Sequence, residues 1–295
     1  MIPVLRRAAH TRSSLAGDFA ALGVRPGMTV LVHASMKPVG RVRPRSAAPG
    51  GAPEDPVTAT VLQALGQLLG PQGTLVVPAF TEGNSNTSRA YRERTAGMAA
   101  GQVARYRASM PPFDPDSSRS EGMGRFAEAV RRTPGARRSG HPQTSFAALG
   151  TRAADLVGHH DETCHLGPAS PLGRLYRDDA LIVMIGVGYE VCSAFHLAEY
   201  LIPDPPRRDY SCVVRRDGRA QWITYADVEL DDSDFADLGA AYEKADTDRS
   251  ERLVKTGEVG DADARSLTLR AAVDFATQWL AGNRPRQAES YGFRA

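Results

Sequence analysis

Three short runs, MTVLVHAS (28–35), GTLVVPAF (73–80) and ALIVMIGV (180–187), are almost unbroken in Val, Ile, Leu and Ala. A strand with one wet face alternates apolar and polar residues, so these runs predict strands buried on both faces, as in parallel sheets covered by helices. Between the first two lies VTATVLQALGQLLG (57–70), spaced for one apolar helical face and stopped at Gly70–Pro71. Strand, helix and strand in that order predict a βαβ unit. Further on, YSCVVRRDGRAQWITYADVEL (210–230) predicts a hairpin turning at Asp217–Gly218, which would make the sheet mixed. LTLRAAVDFATQWLAG (267–282) predicts a closing amphipathic helix with Val273, Phe275, Trp279 and Leu280 inward. The pattern as a whole predicts one α/β domain over 1–295, with a mixed, partly parallel central sheet flanked by helices.

Two stretches break the pattern, RVRPRSAAPGGAPEDP (41–56) and TEGNSNTSRAYRERTAGM (81–98), both rich in turn formers. Each follows a strand, where α/β enzymes place their site loops. No internal repeat or linker divides the chain. With 42% hydrophobic residues over 295 positions, a large core can be buried without staples. An aromatic content of 7% and a charged content of 24% exclude a disordered chain. No apolar run approaches the roughly 20 residues of a membrane helix, and the amino terminus lacks the apolar stretch of a secretory leader. The expectation is a cytoplasmic protein without membrane attachment. A net charge of +2 with no basic stripe argues against a nucleic-acid partner. Cys164, Cys192 and Cys212 lie far apart without CxxC spacing, as reduced thiols do. The arginines at 125–138 and the acids at 227–237 are either solvated faces or surfaces for an anion and a cation.

Three segments carry candidate chemistry. In ALIVMIGVGYEVCSAFHLAEYL (180–201), a strand and a Gly186–Val–Gly188 turn lead to a helix bearing His196 and Glu199 three residues apart, hence on one face. Such a histidine is placed to be a general base, because imidazole titrates near neutrality. A core histidine beside a surface glutamate gives the same pattern. In RRTPGARRSGHPQTSFAALG (131–150), the turn at Ser145 and Phe146 offers N–H groups and arginines to a phosphorylated or thioester-bearing ligand, or simply caps a strand. HHDETCH (159–165) has metal-binding residue types but no standard zinc spacing, and no metal is expected.

Taken in order, MTVLVHASMKPVG, GTLVVPAFT, MPPFDPDSS, RRSGHPQTSFAALG, SPLGRLY, IGVGYEVCSAFHLAEY, VELDDSDF and VGDADARSLTLRAAVDFATQWL resemble the aminoglycoside 3-N-acetyltransferases, the antibiotic N-acetyltransferase family, over about 12–281. The resemblance implies an α/β fold distinct from the GNAT acetyltransferases, acetyl-CoA as co-substrate, and the 3-amino group of a deoxystreptamine ring as acceptor. It implies that His196, in the HLAE box, is the base, with Glu199 orienting it or meeting the acceptor. It further implies that Glu229 and Asp231 grip a cationic sugar with His165 nearby, and that Ser35, Ser145 and Phe146 line the CoA cleft. Relatives commonly carry GHDxNTSLHLAE or GYDSNTSLHLAE where this chain has GYEVCSAFHLAE, so Val191, Cys192 and Ala194 replace polar groups, and their paired glycines correspond to Gly50 and Gly51, here delayed by a Pro-rich insertion. These departures bear on the acceptor more than on the chemistry.

The expected reaction is direct acetyl transfer, with His196 taking the amine proton, a carboxylate steadying the imidazolium, and oxyanion donors in the Ser35 and Ser145 turns. Two alternatives stay open at this level. One is an acyltransferase of the same fold acting on another polyamine-like small molecule. The other is a hydrolase using Cys192 with His196, or a metal-dependent enzyme using 159–165.

Overall fold

The structure is a computed structural model describing residues 8–43, 55–250 and 252–284. Most of the Pro-rich stretch after the first strand, including Gly50 and Gly51, lies outside the described residues. The chain enters through α1 (Arg12–Ala21) and β1 (Thr29–Ala34), crosses through α2 (Pro56–Leu69) and returns as β2 (Thr74–Pro78). Next come α3 (Arg89–Thr95), α4 (Ala100–Ser109) and α5 (Gly124–Arg132), then β3 (Arg137–Arg138) and β4 (Phe146–Gly150). Helices α6 (Ala153–Val157) and α7 (Pro171–Arg177) lead to β5 (Leu181–Ile185) and α8 (Ala194–Leu201). A hairpin, β6 (Arg207–Arg216) and β7 (Arg219–Val228), precedes α9 (Phe235–Thr247), β8 (Val254–Val259), β9 (Ala262–Thr268) and α10 (Leu269–Asn283).

The three apolar runs form β1, β2 and β5, the parallel centre of a seven-stranded sheet ordered β3-β4-β2-β1-β5-β9-β8. The two outer pairs make it mixed, since β4 runs antiparallel to β2 and β9 antiparallel to β5. Alternate residues of β1 enter different cores, which explains the unbroken run. Val30 and Val32 pack with Leu15 and Phe19 of α1, Leu65 of α2 and Phe126 of α5. Leu31 faces the opposite core, with Phe195 of α8, Phe235 of α9 and Val273 of α10. His33 shares the parity of Leu31 and therefore points to the α8 side.

The hairpin departs from expectation. It turns at Asp217 (φ 48°) and Gly218 (φ 76°), the left-handed pair a tight two-residue turn requires, but it forms a separate two-stranded sheet. Asparagine side chains occupy the edge of β6 where a further strand would pair. Asn84 Oδ1 accepts from the Val213 N–H at 2.9 Å and its Nδ2 donates to the Val213 carbonyl at 2.9 Å. Asn86 Oδ1 accepts from the Ser211 N–H at 2.8 Å. The 81–98 loop thus braces the hairpin. In α10, Val273 and Leu280 are fully buried while Phe275 and Trp279 are half-buried; Leu267 and Thr268 belong to β9 instead.

Carboxyl ends of β1, β2 and β5 share one sheet edge, and the turns leaving them are tight. Gly186 closes β5 with φ 59°, and a Cβ there would lie 2.3 Å from Pro38 Cγ and 3.1 Å from the Ser35 carbonyl. Gly186→Ala is therefore expected to destabilise the protein by about 2–3 kcal/mol, read as a lower urea midpoint at unchanged m-value.

Candidate active site

The α8 helix begins nine residues beyond the end of β5, after the Gly186 turn and a single 3-10 turn at Tyr189–Val191, with Ser193 at its N-cap. Its i, i+3 spacing sets His196 Nδ1 2.7 Å from Glu199 Oε2. A carboxylate accepts only, so Nδ1 carries the hydrogen and Nε2 keeps its lone pair, as proton removal demands. Glu199 is 1% exposed, and a buried carboxylate needs compensation. Its Oε1 accepts from the Asp231 N–H at 2.9 Å and from Arg284 Nη1 at 2.5 Å. Arg284 in turn donates to both carboxylate oxygens of Asp234 at 2.8 and 2.6 Å. The imidazole rests on the Phe235 ring, centroids 4.7 Å apart, which leaves its side chain 14% exposed.

A second imidazole stands close by. His33 is almost wholly buried, and its Nε2 lies 3.4 Å from Ser193 Oγ. Burial foremost, and then the like charge His196 would carry, lower its pKa to about 4, so it is neutral at physiological pH.

Beside this group opens a cleft of about 990 Å³. Its walls carry six carboxylates, on Glu82, Asp204, Glu229, Asp231, Asp232 and Asp234, against four guanidinium groups, on Arg89, Arg92, Arg208 and Arg284. Arg208 meets Glu229 at 3.2 Å and Arg284 meets Asp234, so the surplus is negative. Burial works against the charge on Asp231, but hydrogen bonds from Ser233 and the positive charge of Arg284 bring its pKa below the usual carboxylate range. Glu82 is raised by burial and by its neighbours Glu121 and Asp232. His196 is not among the lining residues, whereas Asp231 and Arg284, both bonded to Glu199, are.

A second histidine–carboxylate pair sits in the cleft wall. His165 Nδ1 and its backbone N–H both lie 2.8 Å from Asp227 Oδ2, which also accepts from Tyr200 OH at 2.6 Å. Burial alone would raise Asp227, but the hydrogen bonds from His165 and Tyr200 prevail and hold it low. His165 itself is lowered by burial. His141 and His160 pack against one another, with ring centroids 4.7 Å apart, and His141 stacks equally close on His165. Their nitrogens meet protein groups: His160 reaches Ser139 Oγ at 3.0 Å and the His165 carbonyl at 2.9 Å, and His141 Nδ1 meets the Thr144 N–H at 3.0 Å.

The expected site residues separate into two groups. His196 and Glu199 form one pair, and Glu229, Asp231 and His165 line the adjoining cleft. Ser35 is half-buried where β1 ends, and its N–H is spent on the Ile185 carbonyl at 2.8 Å. Ser145 and Phe146 are fully buried and present no surface to CoA. The Ser145 hydroxyl donates to the Ala79 carbonyl at 2.8 Å and accepts from Arg138, and Phe146 packs edge-on to Phe80 as β4 enters the core. The Ser35 N–H and the Ser145 hydroxyl are thus engaged within the protein. Burial pushes the Cys192 thiol up to about 12 and leaves it 0% exposed, the reverse of an activated nucleophile. Among the described residues no His/Cys/Asp/Glu group could hold a metal ion, and His160 and His165 of the 159–165 segment are committed to protein hydrogen bonds. Sequence reasoning missed three residues. His33 had a signal, the lone imidazole in an apolar strand, whereas Asp227 and Arg284 acquire partners 62 and 85 positions away, as only the fold reveals.

A sequence profile of the family described as aminoglycoside 3-N-acetyltransferase matches residues 31–281. Aminoglycoside N(3)-acetyltransferase VII of Streptomyces paromomycinus is 36% identical over 281 residues, covering 92% of this chain and 91% of its own. The prophage-derived aminoglycoside N(3')-acetyltransferase-like protein YokD of Bacillus subtilis is 32% identical, covering 93% of each chain. The crystal structure of YokD aligns with a TM-score of 0.81 over 94% of this chain and 95% of its own. AAC-IIIb in binary complex with CoASH aligns at 0.76 and 27% identity, over 95% of this chain and 100% of that one. AAC-VIa bound to sisomicin aligns at 0.74 and 31% identity, over 93% and 98%.

The buried imidazoles set a pH dependence of stability. An unfolded histidine takes up its proton near pH 6.5, whereas His33 and His160 stay neutral down to about 4 and burial holds His141 well below its free value. Between those limits the unfolded chain binds more protons, so stability falls as pH drops from about 6.5 to 4. The thermal midpoint is expected to fall by about 5–10 °C from pH 7 to pH 5. His160→Gln should lower the midpoint at pH 7 yet flatten that fall, measured by scanning calorimetry across the range.

Proposed function

The chain belongs to the aminoglycoside 3-N-acetyltransferase family, and from that premise we propose that His196 is the base by which it acetylates the 3-amino group of an aminoglycoside from acetyl-CoA. The observation that carries this reading is the His196–Glu199 pair, which leaves Nε2 as proton acceptor next to a net-negative cleft.

An aminoglycoside amine is largely protonated at neutral pH and nucleophilic only once deprotonated. Glu229 and Asp231 hold the cationic rings from largely exposed positions, where each pairing contributes about 0–1 kcal/mol, so the grip comes from several carboxylates of the cleft acting together. The ammonium first gives up one proton to solvent; as the neutral amine nitrogen bonds to the acetyl carbonyl carbon, His196 Nε2 takes a second, and Glu199 stabilises the resulting imidazolium. The carbon–sulfur bond then breaks, and the proton passes to the departing CoA thiolate. No acetyl-enzyme is formed. His33, neutral at working pH, adds no positive charge to oppose protonation of His196. Ser35, at the end of β1 two residues beyond His33, is the donor contact that the fold keeps half-open. Among the described residues no helix is long and apolar enough to cross a bilayer.

Two experiments test the reading. His196→Ala is expected to lower kcat at least about 10²-fold, while acetyl-CoA still raises the thermal midpoint. Near-normal turnover would remove His196 from the role of base. Glu229→Gln and Asp231→Asn should raise KM for a polycationic aminoglycoside with a flatter salt dependence, at nearly constant KM for acetyl-CoA. Wild-type behaviour of both across salt would leave the acidic wall without a part in acceptor binding.

A further inference from the structure

Arg284 follows the last residue of α10, outside the 31–281 segment that matches the family, and its side chain is 17% exposed. Its guanidinium uses all three nitrogens. Nη1 donates to Glu199 Oε1 at 2.5 Å, Nε and Nη2 grip Asp234 in a fork at 2.8 and 2.6 Å, and Nη2 also donates to the Asp231 carbonyl at 2.5 Å. Its remaining face looks onto Phe235, the ring that supports the His196 imidazole. Burial disfavours the cation, but the hydrogen bonds to Asp234 and Glu199 hold its proton more firmly than in free arginine.

The geometry points to Arg284 as a positioning residue for the catalytic base, fixing Glu199 from behind so that the His196 ring and its Nδ1–H tautomer are held for proton removal. The inference rests on His196 being the base. A carboxylate bonded only to an imidazole and one backbone N–H can swing about its last torsion, and the ring would swing with it. The planar fork removes that freedom, because Asp234 fixes the orientation of the plane and the Asp231 carbonyl and Phe235 fix its depth. A lysine cannot reproduce this, having one point charge for three acceptors.

The cation also tempers Glu199. The ionisable groups facing His196 are Glu199 on its own helix, His33 on β1, His165 ahead of α7, and Asp231 with Arg284 beyond the cleft edge. With Arg284 neutralised, Glu199 attracts a proton onto His196 more strongly, so the base is blocked at higher pH. The acid limb of the kcat/KM profile then moves upward. A residue that merely staples α10 to the 229–234 loop would change stability and leave that limb in place.

The test is steady-state kinetics across pH for Arg284→Met, Arg284→Lys, Arg284→Ala with added guanidinium, and Asp234→Asn, alongside His196→Ala. For Arg284→Met we expect kcat about 10–100-fold lower with KM for acetyl-CoA unchanged, and an acid limb raised by about 0.5–1 pH unit. Arg284→Lys should keep the limb near its wild-type position while kcat falls, and guanidinium should restore turnover to Arg284→Ala. Asp234→Asn, which loosens the fork without touching Glu199, should lower kcat in the same direction by less. If Arg284→Met does not fold, the lysine variant and Asp234→Asn decide. An Arg284→Met enzyme with wild-type kcat and an unmoved limb overturns the inference while an inactive His196→Ala leaves the base assignment standing. An active His196→Ala overturns both.

Discussion

Glu199 is the point on which the site depends. A carboxylate removed from water costs several kcal/mol unless its charge is paired and its oxygens are bonded. Glu199 finds its partners in three places: His196 one turn back on α8, the backbone at Asp231 after β7, and Arg284 after α10. The chain cannot satisfy that carboxylate without bringing those segments together. Folding and orientation of the imidazole are therefore one event, and the tautomer suited to proton removal is a product of the same burial that drives the core.

A second buried carboxylate does similar work for the cleft. Asp227, the penultimate residue of β7, accepts from the backbone and ring of His165 and from Tyr200 on α8. The hairpin is a sheet apart from the central one, and this tie joins the Asn84 and Asn86 amides, the Tyr225 hydroxyl on Gln143 and the Arg216–Glu162 pair in fixing its position. With it, the wall carrying Glu229 is referenced to the helix carrying His196. The neutral cluster of His141, His160 and His165 fills the space behind the wall and gives the site a polar but uncharged floor.

What the sequence made legible follows from how each residue is buried. The strands at 28–35, 73–80 and 180–187 were readable because both faces are covered, and unbroken apolar runs have few other causes. Asp217–Gly218 announced its turn because few residue pairs tolerate positive φ in succession. Strands β8 and β9 were not readable: β8 is exposed through Lys255–Glu258, and β9 mixes small and charged residues, so neither shows an apolar period. His196 and Glu199 were found because helical spacing makes them neighbours. The burial of Ser145 and Phe146 was not readable, because a turn followed by small residues looks like a surface loop while the chain there is already entering β4. Arg284 is one exposed-looking arginine among many until α10 places it against Glu199.

The asparagine amides along β6 have a consequence for how copies of the protein behave in a crowded solution. A ten-residue strand with an open row of N–H and C=O groups is a template on which another chain can add a strand. Asn84 and Asn86 occupy that row at Ser211 and Val213, within the buried stretch of the strand where an incoming strand would otherwise zip. The plug is made of two asparagine side chains and the Asn86 backbone N–H, so it takes up pairing groups without extending the sheet. The cleft is thereby kept from becoming an aggregation seam, and a wall that must remain accessible to a solute is protected from its own backbone.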